Sequence, residues 1–92
     1  MKVMSGKKNK QTKPKWFEGV WYETGEEVTN PFSGECYTLT GPELSMYDFI
    51  MGSQMVFEMQ PKSVTSKQIN DFRKALSWFR KHNSKAYMVL LD

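Results

Sequence analysis

The segment from Thr40 to Pro61 constrains this chain more than any other. Thr40-Gly41-Pro42-Glu43 sets a hydroxyl at a helix N-cap and a carboxylate three residues later, with proline in the first turn. The spacing predicts a helix from Pro42 to about Met59 that stops before Pro61. At 100° per residue its apolar side chains do not gather into one stripe. Leu44, Tyr47, Met51, Met55 and Met59 form one face, Met46, Ile50 and Phe57 a second, and Phe49 with Val56 a third. A helix apolar on all sides is normally enclosed on several of them. The rest of the chain offers few elements to enclose it, so a second copy is expected, a dimer being favoured. The expected contacts are Tyr47, Ile50, Met51, Met55, Phe57 and Met59. Gly52-Ser53 in mid-helix costs propensity, which suits close approach of another backbone. Core or dimer packing is preferred for Met51, Met55 and Met59 over an adaptable methionine groove.

Around this helix the chain reads as one small domain of mainly α, or small α+β, class. Thr65-Ser66-Lys67-Gln68 is a second capping-box spacing and opens a helix from about Ser66 to His82. Ile69, Phe72, Leu76 and Phe79 follow one helical face, with Ala75 beside them, and Lys67, Arg73, Lys74, Arg80 and Lys81 occupy the other. With Pro61–Val64 as the link, the two helices form an antiparallel hairpin. Asn83-Ser84 marks a break and a new N-cap. A short helix over residues 85–92 is expected, with a strand as the competing assignment. Upstream, Asn30-Pro31 and Gly34 punctuate residues 27–39 as a β-hairpin with a five-residue loop, Gly34 taking positive φ. Such a hairpin is marginal alone and should pack on a helix. For residues 16–22 the apolar spacing suits a helical turn, while Trp21-Tyr22 also fits a strand. The residues do not choose between them.

Charge is divided along the chain. Residues 1–15 hold six lysines and no acid, residues 16–59 hold eight acids and no Lys or Arg, and residues 60–92 hold seven bases against Asp71 and Asp92. The formal +3 therefore describes no part of the molecule. Residues 1–15 read as a disordered basic arm, and residues 16–92 as the folded domain. Flexible lysines neutralise phosphates without reading sequence. Lys7, Lys8, Lys10, Lys13 and Lys15, extended by Arg73, Lys74, Arg80 and Lys81, are thus the candidates for nonspecific nucleic-acid contact. Trp16, Phe17, Trp21 and Tyr22 are available to stack on bases. Pairing of the opposite-charge blocks between copies is the preferred alternative.

Chemistry-bearing constellations are sparse. The only nucleophilic pairing is Cys36 with His82, without a third orienting group, and a structural role is preferred for both. One Cys and one His provide no ligand pair at metal spacing, and Glu26, Glu27 and Glu35 lack the alternation of a calcium loop. No phosphate-cradling glycine loop or dinucleotide fingerprint occurs. No enzyme activity, cofactor or metal is expected. The single Cys points to a reducing compartment. The longest apolar run, Ala86–Leu91, is far short of the ~18 residues of a spanning helix. The lysines at the start precede no apolar stretch, so a cytoplasmic protein without membrane partners is expected.

Two stretches carry a resemblance. One is Asn30-Pro31-Phe32-Ser33-Gly34-Glu35 with Leu39-Thr40 and Met46-Tyr47-Asp48-Phe49-Ile50-Met51-Gly52; the other is Trp78-Phe79-Arg80-Lys81-His82 with Lys85 to Asp92. Over residues 28–92 the chain resembles small uncharacterised proteins of tailed phages that infect marine cyanobacteria and other marine bacteria. The resemblance implies a phage-encoded protein of the host cytoplasm or the virion and carries over no catalytic residue. Taken with the residue patterns, it leads to the expectation of a non-enzymatic interaction or assembly protein.

Overall fold

The computed structural model describes residues 11–91. Two short antiparallel strands, β1 (Glu26–Thr29) and β2 (Cys36–Leu39), precede three helices, α1 (Gly41–Met59), α2 (Ser66–His82) and α3 (Ser84–Leu90). A 3-10 turn, Pro61–Ser63, joins α1 to α2 and lets them run as an antiparallel pair. The class is small α+β, a hairpin followed by a helical hairpin and a terminal helix.

Each boundary has a local cause. Thr40 Oγ1 accepts from Glu43 N while the Glu43 carboxylate accepts from Thr40 N at 3.0 Å, a complete capping box. Thr65 and Gln68 repeat this reciprocal arrangement at the start of α2. Asn83 Oδ1 accepts from Ala86 N at 3.1 Å and opens α3, so residues 84–90 are helix and the competing strand is absent there. In the hairpin, Val28 pairs with Tyr37 and Glu26 with Leu39. Gly34 takes φ 80°. The connection Asn30–Glu35 is six residues, one longer than expected, because the ladder stops at Thr29–Cys36.

Asn30 controls that connection. Its Oδ1 accepts from Phe32 N at 2.8 Å and Ser33 N at 3.3 Å, closing the turn around Pro31. Its Nδ2 donates to Val89 O at 2.9 Å, tying the turn to α3, 59 residues away in sequence. With 8% of its surface exposed, Asn30 has its side-chain polar groups matched within the protein, as a buried amide requires.

The core lies where α1, α2, α3 and β2 meet. Leu39, Leu44, Met46, Tyr47, Ile50, Ala75, Phe79, Ala86 and Leu90 are buried together with Phe17. The chain thus encloses the first half of α1 by itself. Tyr47 and Ile50, expected at a contact with a second copy, belong to this core and offer nothing to one. On α2 the buried positions are Asp71, Ala75 and Phe79. Ile69, on the apolar face of α2, is 39% exposed, and burial on this helix begins at Asp71. The two spacings weighed for residues 16–22 both misread this stretch. It is irregular, starting with a turn in which Phe17 N donates to Pro14 O.

Side-chain anchors replace regular backbone pairing there. Phe17 lies 5.3 Å from both Trp21 and Phe49, ring centre to ring centre, and Trp21 meets Trp78 at 6.2 Å. Tyr22 N donates to Ser45 Oγ, which itself donates to the Gly41 carbonyl. The backbone at Tyr22–Glu23 comes so close to α1 that a Cβ on Gly41 would lie 2.5 Å from Tyr22 O. Only glycine admits that approach.

Candidate functional site

Three surface regions gather the residues that carry chemistry. The first is the distal half of α1. Burial along the helix ends at Ile50, and Met55, Val56 and Met59 expose 61%, 41% and 73% of their surfaces. Met51 and Phe57 are half-buried, Phe57 standing edge-on to Phe72 at 5.2 Å. The expected contact set therefore reduces to Met55 and Met59, with Val56 added and Met51 at its edge. Gly52 has open space around it, and no described backbone of this chain approaches that position. These exposed apolar groups lie on neighbouring turns of one helix.

Beside it, a cleft of about 480 Å³ runs between α1 and α2. Phe49, Val56 and Phe57 supply apolar walls, and Glu18, Asp48 and Asp71 supply acids. Lys67 Nζ lies 2.7 Å from Asp71 and 3.6 Å from Glu18. The hydrogen bond to Asp71, joined by the attraction of both acids, holds the Lys67 ammonium above its ordinary pKa. Lys67 is thus committed to its own chain. Across the same region Tyr22 Oη donates to Asp48 at 2.8 Å, which pushes the phenol above its usual range. Burial does the same to Tyr47.

The third region lies on the distal part of α2. Arg73, Lys74 and Lys81 line a shallow cleft of about 410 Å³ with Trp16, Ser77, Trp78 and His82. Two helical rows build it: residues 73, 77 and 81 recur at i, i+4, i+8, and residues 74, 78 and 82 form the adjacent row. The His82 ring stacks on Trp78 at 4.0 Å with 19° between planes. A carbonyl only accepts, so in the 2.9 Å contact with Trp78 O it is His82 Nδ1 that donates. Arg80, expected with this group, instead lies over the Tyr87 ring at 5.7 Å.

Of the other candidates, Lys13 and Lys15 are exposed, whereas Lys7, Lys8 and Lys10 lie outside the described residues, as does most of the expected arm. Gln11, placed in the arm by the sequence pattern, is fastened to the folded body. Its Nε2 donates to Glu43 at 2.7 Å and its Oε1 accepts from Thr40 Oγ1. Phe17 is 2% exposed and unavailable for stacking, and Tyr22 is engaged with Asp48. Trp78 and His82 were missed as cleft residues. The signal that could have found them is their i+4 and i+8 spacing from Lys74. Cys36 is exposed, with its Sγ 3.2 Å from Thr29 Oγ1, and no described hydrogen bond joins it to His82. Among the described residues no three His, Cys, Asp or Glu side chains converge. No described helix is long and apolar enough to cross a membrane. No protein-family model, curated protein or solved structure matches the chain.

Proposed function

We propose that the chain is a non-enzymatic assembly protein that associates with a second copy of itself through the distal half of α1. The observation that carries this is the exposure of Met55, Val56 and Met59 on consecutive turns of a helix whose other half is enclosed. Charge complementarity favours a second copy as the occupant. Glu58 and Lys62 are exposed at the end of α1 and in the turn after it, and neither meets an opposite charge among the described residues. In a two-fold contact every pairing occurs twice, so a Glu58 of one copy set against Lys62 of the other would be matched by the reciprocal pair. Gly52 leaves room for that approach.

The exposed Cys36 without a described disulfide partner supports a reducing compartment, the cytoplasm. The resemblance of residues 28–92 to small phage proteins supports an origin in a phage genome and a place in the infected host or the virion. Sedimentation equilibrium on the full chain tests the association. Wild type dimerises with a Kd in the micromolar range, and the double variant Met55→Glu, Met59→Glu is monomeric with unchanged circular dichroism. Both positions are solvent-facing, so the substitutions leave the core intact. A wild-type chain that is monomeric at about 100 μM refutes the proposal.

A further inference from the structure

We infer that the cleft of Trp16, Arg73, Lys74, Ser77, Trp78 and Lys81 binds single-stranded nucleic acid, its indoles stacking on bases and its cations holding phosphates. This goes beyond self-association and uses none of the same side chains.

Charge comes first. No acid lines the cleft, and no described carboxylate lies within 4.0 Å of the Arg73, Lys74 or Lys81 head groups. This contrasts with Lys67, six residues from Arg73 and seven from Lys74 on the same helix, which two carboxylates occupy. Compensation of the helix dipole accounts for Arg80, Lys81 and His82 in the last turn of α2. It does not account for Arg73 and Lys74, which lie outside that turn. Lys13 and Lys15, both exposed, precede Trp16 by three residues and one residue in the sequence.

Shape separates the ligand classes. An acidic peptide needs cations alone, whereas this cleft interleaves them with two indoles and an imidazole. Trp78 is held by its stack on His82 and its edge contact with Trp21, and Trp16 by edge contacts with Phe17 and Phe49. Preset aromatic rings beside unpaired cations are the arrangement that binds strands with unpaired bases, in a sequence-tolerant way. A duplex keeps its bases stacked inside and gives the rings nothing to meet.

Tryptophan fluorescence titration of the full chain tests the site, with oligothymidylate of about 15 nucleotides as the probe. The controls are an abasic oligomer of equal length, the corresponding duplex and poly-glutamate. Oligothymidylate is expected to quench the emission and to bind at least tenfold tighter than any control. Replacing Arg73, Lys74 and Lys81 together by Ala removes three phosphate contacts and makes the plot of log affinity against log salt shallower by about 2. That corresponds to a wild-type affinity that falls roughly twentyfold more steeply between 50 and 200 mM salt. Ser77→Glu is the second variant. Its carboxylate stands four residues from both Arg73 and Lys81, which favours the helix while neutralising the cleft, and binding is expected to fall at least tenfold. An abasic oligomer or duplex that binds as tightly as oligothymidylate overturns the stacking. Poly-glutamate binding as tightly makes the site an acidic-peptide surface. Unchanged affinity in both variants removes the cleft from the binding.

Discussion

Asn30 is the side chain on which the hairpin and the C-terminal helix jointly depend, and its replacement has a calculable cost. Asn30→Ala removes the acceptor of Phe32 N at 2.8 Å and the donor to Val89 O at 2.9 Å, besides the longer contact with Ser33 N. Phe32 is 94% exposed, so water reaches its freed N–H, whereas Val89 is half-buried and its carbonyl is harder to resolvate. At roughly 1 kcal/mol for each of the two short hydrogen bonds, the loss is about 2 kcal/mol. In a domain of this size that lowers Tm by roughly 8–16 °C. Asn30→Asp separates the two tasks. It keeps the Oδ1 acceptor of the turn but turns a carboxylate oxygen towards the Val89 carbonyl, where nothing donates. The tie to α3 is lost while the turn survives, at about 1–2 kcal/mol. Urea unfolding and thermal circular dichroism at one fixed protein concentration give both values, since association would otherwise shift Tm. Hydrogen exchange locates them: amides of α3 should lose protection in both variants, and the Phe32 amide only in the alanine variant. An alanine variant within about 0.5 kcal/mol of wild type would refute the assignment of Asn30 as the joint.

The two capping boxes make a second test. Thr40→Ala and Thr65→Ala each cost about 1 kcal/mol by chemical denaturation. They should add in the double variant, because α1 separates the two caps by about 28 Å. Alkaline titration is a third. Tyr22, Tyr47 and Lys67 all have folded pKa values raised above their ordinary ones. Their contributions are complete below the unfolded values near 10 and disappear as pH rises through the folded values, so stability declines above about pH 10. Tyr47→Phe should flatten that decline in equilibrium unfolding at pH 9–11. A fourth joins the two proposed surfaces. Fluorescence titration should show tighter binding of a thymidylate strand long enough to cross two clefts than of a short one, and Met55→Glu, Met59→Glu should abolish that difference.

Features that depend on neighbours in sequence were legible, and features set by distant contacts were not. Thr40 with Glu43, Thr65 with Gln68, and Asn83 all cap the helices their spacing announced, because a cap is satisfied within four residues. Gly34 was readable for the same reason. Residues 16–22 were not. Their order comes from Phe49, Ser45 and Trp78, which lie far along the chain, and no periodicity encodes such anchors. The apolar surround of α1 led to the expectation of a second copy along the helix. Sequence could not say that this chain supplies the partners up to Ile50 and leaves Met55 and Met59 open. The cleft was half visible, since its cations stood out. Trp78 and His82 did not, because an aromatic on an amphipathic helix is more often core.

The division of charge explains why these two surfaces can coexist on so small a body. Residues 16–59 contain no Lys or Arg, so the cations of the folded part come from α2, its preceding turn and α3, while β1 and α1 carry acids. Lys67 is neutralised at the end of α2 nearest the tip of α1, and among the described residues no carboxylate pairs with Arg73, Lys74 or Lys81 further along. Arg73, the α2 residue of the cleft nearest the start of that helix, is four residues from Ile69, about 6 Å along the axis. Met55, Val56 and Met59 line none of the cleft, so the proposed contact with a second copy uses side chains that the cleft does not. On the two proposals together, a dimer would join two clefts in one particle and present a strand held by one to the other at high effective concentration. The assembly surface would then raise avidity for nucleic acid without any new contact to it.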